Sequence, residues 1–340
     1  MKHLAFAASA PPTLAALNRA LAAGGASELD GEVPAAVWRR ALAGPAAEFL
    51  ARPGKGLRAS IVRAGWDLGG GASGAMPEQI ALVIELLHAG SLIVDDVEDG
   101  SDERRGGPTL HQVVGIPLAI NTGSWMYFWA LAEIAELGLP PASELAAHRA
   151  SASALVRCHQ GQALDLSTRI WDLGPESIGA VVAATTRLKT GALCTLAAEL
   201  GAIAAGASPA ITAAVRAFAG EMGVGLQMLD DLGSIASDAR LAKGREDLAG
   251  GRPTWPWAWL AEARPFAWSR LAATTRTTAA GAGDLDLILV ELRGAILEIG
   301  RQRVRSTLRN ALGGLVASVG ASAITEGIAT ELSRMEASYG

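Results

Sequence analysis

The sequence predicts an all-α protein built as one large helical bundle, and three observations carry that reading. Half of the residues are hydrophobic but only 5% are aromatic, with Ala and Leu recurring throughout, a composition that favours helix over strand. Long segments of helical period alternate with Gly/Pro breaks, and no strand-like alternation competes with them. Neither an internal repeat nor a linker long enough to separate domains occurs, so the 340 residues read as a single domain.

In chain order, the first thirty or so residues, rich in Ala, Gly and Pro, read as partly loose. Breaks at 51–56, 69–77, 100–108, 138–142, 174–176, 205–210, 237–256 and 281–283 then delimit the helices. The long ones are expected over Glu78–Val97, Gly115–Leu137, Ala142–Ile170, Glu176–Ala204, Ala210–Ile235 and Asp284–Leu312. The opening MKHLAFAASAPP has an apolar stretch of only about seven residues before its prolines, which argues against a cleaved signal peptide. The most apolar stretch, Ala192 to Ala219, carries Glu199 and Arg216 and is broken at Gly206 and Pro209. It reads as a buried helix pair, not a membrane span.

Charge and cysteine usage narrow the function classes. A net charge of -5 argues against nucleic acid as a partner, so any basic groups that bind phosphate must be local. Cys158 and Cys194 are the only cysteines, which leaves no disulfide framework and no CxxC metal pattern and suits a cytoplasmic protein.

Two acidic clusters break the rule that charges avoid apolar helices. In GSLIVDDVEDGSDERRGGPTLH, Asp95, Asp96 and Asp99 close a strongly apolar helix. Asp95 and Asp99, at i and i+4, share one face one turn apart. Their repulsion is a cost unless a cation lies between them, and Mg²⁺ fits such oxygen ligands when a phosphate supplies more. In GVGLQMLDDLGSIASD, Asp230 and Asp231 again end an apolar run. Either cluster alone could be a solvated helix end. Basic residues beside both favour a diphosphate site: Arg104 and Arg105 after a Gly/Ser turn, Lys55 and Arg58 in PGKGLR, Lys189 within an apolar helix, and Lys243 in a Gly-flanked loop.

On these motifs the chain resembles the trans-isoprenyl diphosphate synthase (polyprenyl synthetase) family from about Leu50 to Pro256. DDVED followed by RRGGPTLH matches the family's first aspartate-rich motif, and QMLDDLGS its second. PGKGLRA stands for GKRLRP, Lys189–Leu193 for KTxxL, and Gly161–Leu166 for GQxxDL. The resemblance is closest to geranylgeranyl diphosphate synthases. It implies an isoprenoid-synthase bundle around a central apolar cavity, a homodimer, and condensation of an allylic diphosphate with isopentenyl diphosphate. Asp95, Asp99 and Asp230 would ligate Mg²⁺, three ions with diphosphate bound, with Asp96 and Asp231 completing the catalytic pairs. Arg104, Lys189, Thr190, Gln227 and Lys243 would bind the allylic diphosphate. Lys55, Arg58, His88 and Arg105 would bind isopentenyl diphosphate, although a lone His88 is more often a core residue. Charge neutralisation would assist the leaving diphosphate, and a water-free cavity would protect the allylic cation.

The sequence departs from the family pattern at Ser234, Val94, Gly56 and Ala59. Two rival readings use the same scaffold: a class I terpene cyclase, which needs no second diphosphate site, and a non-catalytic regulatory subunit, which loses aspartates of the first motif. Product length would be set along the helix ending at Asp95, at Ser91 and Gly90, then Leu87 and Leu86. Relatives that stop at farnesyl diphosphate carry aromatic residues at the first pair. Small residues here imply a longer product, geranylgeranyl diphosphate, unless they only let two helices approach.

Overall fold

The computed structural model describes residues 33–52, 56–71, 74–237, 240–282 and 284–339. The expected loose start and the role given to Lys55 lie outside them. The described residues are helical almost throughout, as the composition predicts. The main helices are α1 (Gly44–Leu50), α2 (Leu57–Leu68), α3 (Glu78–Glu98), α4 (Ile116–Ala135), α5 (Pro141–Ser167), α6 (Ile178–Thr186) and α7 (Ala192–Ala204). Then follow α8 (Pro209–Ala236), α9 (Leu241–Ala249), α10 (Trp255–Ala263), α11 (Pro265–Thr277), α12 (Leu285–Val319) and α13 (Ala323–Tyr339). Between α3 and α4 a short antiparallel hairpin, β1 (Glu103–Arg104) and β2 (Gly107–Pro108), was not foreseen.

These residues form two compact units. One comprises the described residues up to Ser151 together with Ala197–Ser208. The other comprises Ala152–Leu196 and the chain from Pro209 onward. In the first unit, α3 and α4 cross where Gly90 meets Gly123. A Cβ on Gly90 would lie 2.6 Å from the Gly123 carbonyl oxygen, and one on Gly123 would lie 3.0 Å from that of Gly90. The second unit is cored by α8 and α12. Val215, Phe218, Met222 and Leu229 are buried on one, and Leu292, Ile296, Val304 and Leu308 on the other, at helical spacing.

Three sequence expectations need correction. The helix expected over Glu176–Ala204 is interrupted by a π-turn, Arg187–Gly191, which carries Lys189 and Thr190. Such insertions re-aim side chains and recur at functional sites. Lys243 lies on α9, not in a loop. Gly244, taken as a breaker, is there because a Cβ would come within 2.4 Å of the Ser234 carbonyl oxygen. Finally, Asp230 and Asp231 do not end their helix: α8 runs on to Ala236, with Leu232 and Ile235 continuing its buried face. Among the described residues, no helix is long and apolar enough to cross a membrane.

Candidate active site

The end of α3 is built by its cap. Gly100, at φ 64°, sends its N–H to the Val97 carbonyl, while Ser101 N–H reaches that of Asp96, the bond pair of a Schellman motif. The helix therefore ends at Glu98 with Asp99 as its cap, and the chain turns back at once into the hairpin. Arg104 on β1 donates from Nε to Asp96 Oδ1 at 2.7 Å and reaches Asp95 Oδ2 only at 3.9 Å. Asp96 is fully buried, and burial pushes its carboxyl up against the pull of Arg104. Asp95 keeps 23% of its side chain exposed. Of the three aspartates, Asp96 thus holds an arginine, while Asp95 and Asp99 stand one turn apart as expected, joined by the Asp99 N–H to Asp95 carbonyl bond.

Seven residues earlier on α3, His88 is enclosed. Burial first, and then the charges of Arg58, Arg105 and Arg104, hold its imidazole well below the usual range, so it is neutral at pH 7. Its Nδ1 and the Nε of Arg58 are buried with no hydrogen-bond partner among the described residues. Glu85, one turn before His88, was missed in the sequence. Burial pushes its carboxyl up, while Arg58, Arg105 and the backbone of Ala59 oppose that. A carboxyl at i−3 from a candidate histidine was the signal available.

The second acidic cluster lies in the other unit. Lys189 projects from the π-turn to Asp165, Nζ to Oδ2 2.5 Å. Its neighbour Thr190 donates to Gln227 Oε1 (2.8 Å), and Gln227 Nε2 donates to Asp231 Oδ1 (2.8 Å). The Trp255 N–H holds the other oxygen of Asp231 at 3.0 Å, and its indole N–H returns to Thr186 Oγ1 at 3.0 Å. One polar network therefore ties the π-turn to the second aspartate pair. Burial pushes Asp231 up to about 6. Asp230 meets Arg240 and Lys243, the latter at 2.6 Å; burial raises it, but these cations outweigh that and hold it below the ordinary carboxylate value. Asp247 on α9 is pushed up to about 7, mainly by burial and against the pull of Lys243. Arg240, Trp255, Asp165 and Asp247 were not singled out as site residues in the sequence. The structure thus gathers Thr190, Gln227 and Asp231, and separately Asp230 and Lys243. Among the described residues no three or more His, Cys, Asp or Glu side chains gather as a ready-made metal cage.

The chain-length positions divide. Leu86 and Leu87 are buried, and Ser91 is half-buried with its hydroxyl donating to the His88 carbonyl at 2.9 Å. Gly90, in contrast, lies against Gly123 with no space for a side chain. Its smallness serves helix packing, and the tunnel-opening role expected of it is withdrawn on that ground.

The all-α fold is similar to that of solved isoprenyl synthases. A polyprenyl synthase from Caulobacter crescentus has a TM-score of 0.73 at 22% identity, over 96% of this chain and 98% of that one. A decaprenyl diphosphate synthase from Rhodobacter capsulatus has a TM-score of 0.76 at 20% identity, over 96% and 100%. The chain belongs to the polyprenyl synthetase family, whose model matches residues 39–287. It is 34% identical over 125 residues to a geranylgeranyl pyrophosphate synthase of Mucor circinelloides f. lusitanicus, covering 37% of this chain and 39% of that protein. It is 33% identical over 205 residues to a geranylfarnesyl diphosphate synthase of Aeropyrum pernix, covering 59% and 63%. The matches therefore span less than two thirds of these curated relatives.

Proposed function

We propose that this protein is a magnesium-dependent trans-prenyltransferase, a single-domain isoprenyl diphosphate synthase that extends an allylic diphosphate with isopentenyl diphosphate. Family membership and the names of the relatives support the class. One observation carries the two-substrate reading over a cyclase. A single helix, α3, bears a carboxylate cluster with Arg104 at its end and, seven residues or about 10 Å earlier, a half-buried neutral histidine among arginines. Two anion-holding places on one helix suit two diphosphates.

The family is magnesium-dependent in general. The donors here fit that ion: hard carboxylate oxygens, too few for a full shell, leave coordination for diphosphate and water. Asp95, Asp99 and Asp230 would hold it, three ions with diphosphate bound, and when bound it would neutralise charge on the leaving group. Arg104, Lys189, Thr190, Gln227 and Lys243 hold the allylic diphosphate, and Asp96 and Asp231 orient Arg104 and Gln227 through the bonds described. Arg58, His88 and Arg105, with Lys55, hold isopentenyl diphosphate. A neutral His88 donates or accepts a hydrogen bond without adding repulsion to the arginines around it.

The product we propose is geranylgeranyl diphosphate, with Ser91 and the leucines behind it setting the depth of an apolar cavity. Ile116, Ile120 and Phe128 form an exposed stripe on α4, which supports a homodimer. Cys158 and Cys194, neither in a disulfide, support a cytoplasmic setting. The test is incubation with Mg²⁺, isopentenyl diphosphate and each allylic diphosphate in turn, read by mass. An elongated diphosphate is expected. A hydrocarbon formed without isopentenyl diphosphate would replace this reading with a cyclase.

A further inference from the structure

We infer that Arg52, which lies outside the diphosphate-binding motifs, is a positioning residue that holds the Arg104–Arg105 turn in the shape its anion requires. The inference rests on the proposed function, because it concerns the same turn. The hairpin has two residue pairs, Glu103 with Pro108 and Arg104 with Gly107. A ribbon that short does not stand alone, and Pro108 has no N–H to add. Its two turn residues are both left-handed, Arg105 at φ 53° and Gly106 at φ 78°, the type I′ pattern. Glycine accepts that conformation freely. Arg105 does not, and among the described residues it is the only non-glycine with positive φ. A strained turn on a minimal ribbon needs an outside restraint.

Arg52 supplies it. Its Nη1 donates to the Arg104 carbonyl at 3.0 Å and its Nη2 to the Pro108 carbonyl at 2.6 Å, one contact on each strand of the hairpin. The guanidinium is held in turn by Glu48, whose Oε1 accepts from Nε at 3.1 Å and from Nη2 at 2.7 Å. It lies over the ring of buried Phe49, 5.5 Å from the centroid, and the guanidinium of Arg105 lies over the same ring at 5.6 Å. A Cβ on Gly107 would meet Arg52 Cζ at 3.8 Å, so the planar group runs directly beneath the turn. Only 9% of the Arg52 side chain is exposed; its bond to the Arg104 carbonyl is part-buried, while those to Glu48 and the Pro108 carbonyl lie at the surface. The donors of a planar fork can span two strands and a carboxylate together; a single ammonium cannot. The bonds of Arg52 described above run to Glu48, Arg104 and Pro108, none of them an aspartate of α3. Its effect passes through the backbone of Arg104 and the ring shared with Arg105.

The test uses the full chain with Arg52→Met and Arg52→Lys, and reads two quantities besides thermal stability. Methionine keeps the stem against Phe49 and removes every donor. The first readout is the affinity for inorganic diphosphate with Mg²⁺ by calorimetry. The second is KM against kcat for isopentenyl diphosphate. Arg52→Met should weaken diphosphate binding and raise that KM roughly tenfold, the scale of a lost charge-assisted contact, while kcat at saturation changes far less. Arg52→Lys should recover little of either. A folded Arg52→Met protein with unchanged diphosphate affinity and unchanged KM overturns the inference, as does full rescue by lysine. Absence of any prenyl product from the unaltered protein would instead overturn the proposed function, and the calorimetric arm would still decide the role of Arg52.

Discussion

At the end of α3 and in the last two turns of α8 the chain places the same dipeptide, Asp-Asp, in different settings. Asp95–Asp96 sits where a helix is stopped by Gly100, and its buried member accepts a hydrogen bond from Arg104 while the partly exposed member lies 3.9 Å from the same arginine. Asp230–Asp231 sits inside a helix that continues past it. There the buried member is held by neutral donors, Gln227 and the Trp255 N–H, and the partly exposed member faces Arg240 and Lys243. A cation arriving at Asp95 therefore meets a carboxylate paired with its own kind at i+4. One arriving at Asp230 must share with two resident cations. Two motifs that read alike are prepared for binding to different degrees.

Paired substitutions would break that comparison or sharpen it. Asp95→Ala should reduce turnover to background and leave the melting temperature of the metal-free protein nearly unchanged, since it removes one of two like charges at i, i+4. Asp230→Ala should also remove activity but lower stability by about 1 kcal/mol, because Arg240 and Lys243 lose their shared partner. Equal melting temperatures for the two variants would show that the settings do not differ. Arg58→Ala should raise KM for isopentenyl diphosphate by a factor of roughly ten to one hundred and barely move that of the allylic substrate. A shift in the allylic constant alone would count against two separate sites.

Smaller effects are expected at the α3–α4 crossing. Gly90→Ala should cost ~1–3 kcal/mol, because its methyl group meets a backbone carbonyl that has little freedom to retreat. Ser91→Phe should stay folded and shorten the product towards farnesyl diphosphate; unchanged products from a folded variant would put the cavity floor elsewhere. The smallest effect is a pH dependence. The Asp247 carboxyl, pushed up to about 7, is held protonated by the fold at pH values where the unfolded chain has released its proton. Its contribution to stability is therefore lost as pH rises from about 4 to about 7. Asp247→Asn should melt higher than the unaltered protein at pH 8, on the order of a couple of degrees, with the gap closing towards pH 5. No gap at pH 8 would refute the elevated value.

Legibility differed from residue to residue. Asp95 and Asp99 could be read from the chain because their relation is one helical turn, and the stop after them is a local matter of Gly100. Gly244 misled for the converse reason: it looks like a break, yet it is a buried residue within a helix, and the close approach of Ser234 that explains it is not local. Ser234, the departure noted in the second motif, is buried with its hydroxyl donating to the Asp231 carbonyl, a bond within its own helix.

The sequence by itself determined the all-α class, the bounds of several long helices such as Glu78–Glu98 and Pro209–Ala236, and the two acidic motifs, because helical period, caps and i, i+4 spacing are encoded within a few residues of one another. Tertiary structure alone decided that Asp96 holds Arg104 and that Asp231 is tied to Thr190 through Gln227. It also decided that Gly90 is small for the sake of Gly123, and that Arg52 reaches across 52 and 56 positions to grip the arginine turn. Those pairings depend on which helix faces meet and on how far burial removes water from the charges there, and neither quantity is carried by any short stretch of chain.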